Sequence, residues 1–157
     1  MATEEVKKQN VLRLTSMALA SLAAGVWDTL GETSFALTNS MGEEILKMFE
    51  KEMGLEIAGE TPENVIKEIG RIFVDEFGFA KEISIAGSSA DKIELRVRNC
   101  INVPFTDRLA AAGVEKPFIC PIMNATAAAL SRMGFKMRND VTKWPDGKGS
   151  IITFTKI

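Results

Sequence analysis

The sequence predicts an α+β fold: N-terminal helices packed with a mostly antiparallel four-stranded sheet, in the order α-α-α-β-β-α-α-β-β. Three observations predict it. Three helical stretches, Glu4 to about Leu30, Ser34–Met53 and Thr61 to near Gly78, come first. The period then shortens to alternation over Lys81–Ala86 and Lys92–Arg98. A small-residue stretch, Asn124–Leu130, precedes a second pair of alternating runs joined by a Pro/Gly-rich turn. Helices and strands segregated in this way indicate one sheet covered by helices, not a parallel βαβ array.

Each element has its own signals. Glu4 to about Leu30 is rich in Ala, Leu and Met, with Gly25 a candidate interruption and Gly31 a break. Ser34–Met53 resumes the helical period: Ile45, Met48, Phe49 and Met53 fall on one face, with Glu44, Lys47, Glu50 and Lys51 on the other. Gly54 is its stop. Thr61-Pro62-Glu63 opens the next helix with a capping hydroxyl, a proline at the first helical position and an acid in the first turn. Val65, Ile66, Ile69, Ile72, Phe73 and Phe77 line it up to Gly78. In the strand Lys92–Arg98, Ile93, Leu95 and Val97 point one way and Glu94, Arg96 and Arg98 the other. A short helix is expected over Thr106–Ala112 and a longer one over Pro121–Met133. Phe135–Lys143 and Ser150–Lys156 form a hairpin across Trp144–Gly149, punctuated by Pro145 and Gly147.

Composition narrows the function. The 157 residues suit one domain, 1–157, with 46% hydrophobic and 25% charged residues, the balance of a soluble globular protein. A formal charge of −2 argues against nucleic acid as a partner. Two cysteines make no disulfide scaffold, and MATEEVKKQN is charged with no secretory signal after it. Met17–Trp27 is too short to span a bilayer. The expected location is therefore cytoplasmic, with free thiols. Histidine is absent, which removes Ser-His-Asp and Cys-His catalysis and imidazole ligation of haem. No GxGxxG follows a strand and no GxxxxGK[ST] occurs. Glu43-Glu44 is the obvious acidic pair for an acid–base reading, but neighbours on a helix point about 100° apart, so a solvated face explains it. No catalytic residue, cofactor or metal is expected.

The cysteines are the sharpest candidates. Cys120 precedes Pro121 at a helix start, where free backbone N–H groups favour a thiolate. The sequence alone favours the other reading, a small buried apolar side chain, the commoner fate of a free cysteine. Cys100 ends a strand after Asn99. Nineteen residues separate the two cysteines, a spacing diagnostic of neither a metal clamp nor a redox couple. A structural zinc site would need two more ligands, and Asp107 and Asp140 would make an unusual set.

The segments RVRNCINVPF from Arg96, FICPIMNATAAALSRMG and FKMRNDVTKWPDGKGSIITFTKI carry a family likeness. In this order they resemble the 4-vinyl-reductase, or hydrocarbon-binding, domain, which shares its fold with subunits of Golgi transport tethers. The resemblance is loose from about Leu30 and sharpest over Val97–Ile157. Cys100 and Cys120 match the family's first two cysteines. Where metal-binding members place an acid and two further cysteines, this chain has Asp140, Lys143 and Gly149–Ile152, so their metal site is not expected. The resemblance implies a pocket for a small apolar or aromatic molecule near the cysteines. Asn99, Cys100, Phe105, Cys120, Met123 and Trp144 are its candidate contacts, with Asn99, Cys120 or Trp144 orienting the ligand. A homodimer through MALASLAAGVW, whose small side chains permit close helix approach, is the expected assembly. Two other classes stay open: a ligand-free interaction module like the tether subunits, and a reductase, for which the chain offers no recognisable nicotinamide or flavin motif.

Overall fold

A computed structural model describes residues 1–144 and 146–157. Pro145, expected to punctuate the last hairpin, lies outside the described residues. The first helix, α1 (Glu4–Leu30), is capped by Thr3, whose hydroxyl accepts from the Val6 N–H at 3.3 Å. It runs through Gly25 without a break, because one glycine weakens a helix of this length without ending it. A 3₁₀ segment (Gly31–Ala36) leads into α2 (Leu37–Lys47), which closes in a π-helical turn, Met48–Glu52. The helix α3 (Pro62–Arg71) starts at the Thr61 cap and ends in a second π turn, Ile72–Glu76. Both π turns carry a core aromatic, Phe49 and Phe73, whose rings meet edge-on at 5.5 Å.

The strands β1 (Glu82–Ser88) and β2 (Lys92–Arg98) follow, then α4 (Val103–Ala111), α5 (Pro121–Arg132), β3 (Met137–Lys143) and β4 (Gly149–Lys156). The sheet order is β1-β2-β4-β3, with every neighbouring pair antiparallel. The expected fold class and element order are those observed. Ile93 faces Phe154 and Leu95 faces Ile152 across the central pair, and all four are buried. Burial of each such side chain stabilises by about 1.5–3 kcal/mol. Two helix starts moved by three residues. The first is Ser34, read as the start of a helix, which falls in the 3₁₀ segment. The second is α4, which starts three residues before Thr106, with Pro104 in its first turn.

Two apolar clusters result. The larger lies between the sheet and α2, α3 and α5. Here α2 crosses α5 so closely that a Cβ on Gly42 would sit 2.1 Å from the Asn124 carbonyl oxygen and 2.8 Å from the Ala128 Cβ. Arg132 then joins the two helices from outside, with Glu43 and Glu50 each at 2.8 Å. Glu43 is thus an anchor for α5, while Glu44 pairs with Lys47 on its own helix. The smaller cluster packs Ala20 and Ala23 of α1 against Phe105 and Leu109 of α4 and Val114, Phe118 and Ile119 beyond it. Apart from these two alanines α1 buries nothing completely. No helix among the described residues is long and apolar enough to cross a membrane.

Candidate functional site

The helix α4 is positioned to serve both sides of the molecule. Phe105 and Leu109, four residues apart, belong to the cluster under α1. Val103, Thr106 and Ala110 follow a neighbouring stripe and face the ends of β3 and β4. Between them lies a cavity of about 180 Å³, closed by Val114 and Pro117 from the α4–α5 loop and by Val141, Gly149 and Ser150 from the sheet. Its walls are mostly apolar, and the polar groups sit at defined points. The Thr106 hydroxyl donates to the Asn102 carbonyl at 3.2 Å. Lys143 at the mouth is ion-paired with Asp107 of α4. A larger concavity of about 770 Å³, bordered by Glu32, Lys116, Arg138 and Asp140, is open and charged. An apolar solute gains from contact with apolar walls, which favours the cavity beside α4 over this charged concavity as the candidate site.

Leu109 and Val114 each line this cavity and also belong to the cluster that holds α1. The cavity wall and the seat of α1 therefore share these two side chains.

The six residues expected from sequence separate into three places. Cys100, Met123 and Cys120 lie in or against the larger cluster. Phe105 is buried in the smaller one. Asn99 and Trp144 stand at the end of the sheet. Asn99 is exposed, takes a left-handed φ of 47°, and donates its N–H to the Lys148 carbonyl at 2.6 Å. Trp144 is half-buried beneath the Arg98 guanidinium, 4.9 Å from the ring centroid. None of the six lines the 180 Å³ cavity. Thr106, Ala110, Val141 and Ser150, which do, were not singled out by the sequence. They come from three elements, and only the i, i+4 spacing of Thr106 and Ala110 signals a shared face.

Both thiols are free. Cys120 is the N-cap position of α5, as its place before Pro121 predicts. Burial nevertheless pushes its thiol up to about 12, against the pull of the Met123 N–H, with Cys100 adding to the rise and the Ile122 N–H opposing it. The residue as a whole is half-buried but its sulfur is enclosed, so desolvation outweighs the helix terminus. Burial also raises the Cys100 thiol, whose sulfur accepts from the Asn102 N–H at 3.4 Å. The folded state therefore favours a protonated Cys120. That contribution is complete below the ordinary value of 9.0 and is lost as pH rises towards 12. Over this window the wild type should lose stability faster than Cys120→Ala, by up to about 1.4 kcal/mol per pH unit. Denaturant titrations across the window measure it, and parallel slopes would refute it.

Among the described residues no group of three or more His, Cys, Asp or Glu is placed to hold a metal. A second buried polar group does stand out. Asn124 is wholly buried, with its Nδ2 donating to the Phe118 carbonyl at 3.2 Å and its Oδ1 unpartnered. It ties the start of α5 to the loop that closes the cavity.

Comparison with known proteins places these features. Residues 12–157 match the family model described as "Putative rubredoxin C-terminal domain". No curated protein matches significantly. Solved structures that match include the phenol-responsive sensory domain of the transcription activator PoxR with phenol. That likeness has a TM-score of 0.57 and 11% identity, and covers 89% of this chain and 74% of the other. At that identity it speaks to the fold alone. A rubredoxin iron centre takes four thiolates in a tetrahedron, and two cysteines without histidine do not supply such a set.

Proposed function

The chain belongs to this rubredoxin C-terminal domain family, a family described by position and not by reaction, and from that premise we propose a binding domain, not an enzyme. The unit, 1–157, takes a small apolar or aromatic molecule into the cavity beside α4. The observation that carries this reading is the cavity itself: about 180 Å³, mostly apolar-walled, with two hydroxyls, a lysine and a glutamate on its lining. An apolar cavity of roughly 150 Å³ is enough for benzene. Binding draws on burial of ring surface at about 25 cal/mol per Å². A polar substituent is oriented by Thr106, Ser150 or Lys143.

Two further points support the reading. The fold is like that of a phenol-responsive sensory domain, and the cysteine-bearing segments resemble the hydrocarbon-binding, 4-vinyl-reductase domain. Two enclosed thiols suit a reducing compartment such as the cytoplasm. Response follows from Leu109 and Val114: a ligand that reseats them changes the surface on which Ala20 and Ala23 rest.

Calorimetric titration with phenol, toluene and benzene tests the proposal. At least one should bind with a dissociation constant below about 1 mM. Ser150→Phe, which projects a ring into the cavity from β4, should weaken that binding at least about tenfold while the melting temperature holds. Absence of binding heat from all three ligands with the wild type would refute the cavity reading.

A second reading has its own observation. Val11, Leu12, Leu14, Met17, Leu19 and Leu22 of α1 are exposed, as in a helix that docks on another surface. On this reading the chain is an interaction module, and its partner is a second copy.

A further inference from the structure

The N-terminal half of α1 touches nothing in its own chain that buries it: no residue before Ser16 is even half-buried. Beyond that point Ser16, Ala20, Ala23, Ala24 and Trp27 turn towards the body. At about 100° per residue, Val11, Leu14, Ala18, Leu22 and Gly25 fall on the side away from it. Val11, Leu14 and Leu22 are 63%, 69% and 64% exposed. Gly25 is the unexplained member. A Cβ there would meet nothing within 4 Å, so the monomer gives no reason for a residue that weakens a helix interior relative to alanine.

We infer that α1 pairs antiparallel with α1 of a second copy, crossing at Ala18. This rests on the dimer reading of α1 and is independent of the cavity. The register follows from size. An antiparallel pair centred on Ala18 sets Val11 against the partner's Gly25 and Leu14 against the partner's Leu22, large on small and large on large. A parallel pair would set Gly25 on Gly25 and leave a gap. Charge agrees with size. Within α1, Glu4–Thr15 carries Glu4 and Glu5 against Lys7, Lys8 and Arg13, a net +1, whereas Ser16–Leu30 carries only Asp28, a net −1. Antiparallel pairing lays the positive half on the negative half, and parallel pairing lays like on like. It also gives the unsupported first half of each helix a surface to lie on.

Sedimentation and engineered cross-linking of the full chain test the pairing. The wild type should sediment as a dimer at about 100 μM. Gly25→Leu should raise the dimer dissociation constant at least tenfold while the monomer keeps its helical circular dichroism. Ala18→Cys should form a covalent dimer on mild oxidation and Val11→Cys alone should not. Mixing Val11→Cys with Gly25→Cys should join the two variants. A monomeric wild type would overturn the dimer reading together with the pairing. A dimer in which Val11→Cys cross-links as readily as Ala18→Cys, or in which Gly25→Leu changes nothing, would overturn the antiparallel pairing alone.

Discussion

Gly42→Ala is expected to lower the unfolding free energy by about 3 kcal/mol, and the melting temperature by roughly 6–12 °C. On an open helix the same change stabilises by about 0.5–1 kcal/mol, so here the sign itself is diagnostic. The added Cβ would lie 2.1 Å from the Asn124 carbonyl oxygen and 2.7 Å from its carbon. These are backbone atoms of a helix whose first turns are buried on every side, so neither can yield. The two helices must part, and Leu46, Phe49, Ala125 and Ala128 lose their packing together. Gly42→Leu should leave no cooperative transition at all. Thermal melts by circular dichroism check both variants, and an alanine variant as stable as the wild type would show that the crossing is looser than its geometry.

Phe118→Ala should cost about 3–5 kcal/mol, and its damage should be local before it is global. Phe118 is buried and stacks on Trp27 at 6.2 Å, with Phe35 at 6.4 Å. Its carbonyl also receives the Asn124 amide. The trio Trp27, Phe35 and Phe118 joins α1 to the remainder of the chain, so its loss releases α1 while the sheet and its three helices keep their own core. With Trp144→Phe as background, Trp27 fluorescence should shift to the red at a lower denaturant concentration than the loss of β-sheet signal. Coincident transitions would mean that the two clusters unfold as one unit.

The elements were legible because their signals are local. Alternation in Lys92–Arg98 and the Thr61-Pro62-Glu63 start require only nearest neighbours, and both strand and cap lie where they were read. The two π turns were not legible, since Met48–Glu52 and Ile72–Glu76 keep an unbroken helical pattern of apolar residues. Nor was the division into two clusters. Phe105 and Met123 read alike in sequence, and only the path of α4 sends one towards α1 and the other towards the sheet. The cavity was the least legible feature. Ser150 and Thr106 are ordinary polar residues in a strand and a helix, and they become a site only because β4 returns beside α4. The placing of Cys120 at a helix start was correct, and of the two readings left open for its thiol the buried one holds: enclosure outweighs the helix terminus.

The sheet order β1-β2-β4-β3 also dictates when the molecule can fold. Each hairpin, β1–β2 and β3–β4, closes a short loop and can form within microseconds. The central pairing joins Arg98 to Gly149 and Lys92 to Thr155, so some fifty residues or more, including α4 and α5, must be gathered before it forms. A protein whose central strand pairing spans so long a stretch of sequence folds slowly, over milliseconds to seconds. During synthesis the strand that completes the core is also the last of the elements to emerge. Until Ile152 and Phe154 arrive, Ile93 and Leu95 lack their partners on β4, and a nascent chain exposes one hairpin's apolar face to whatever it meets first.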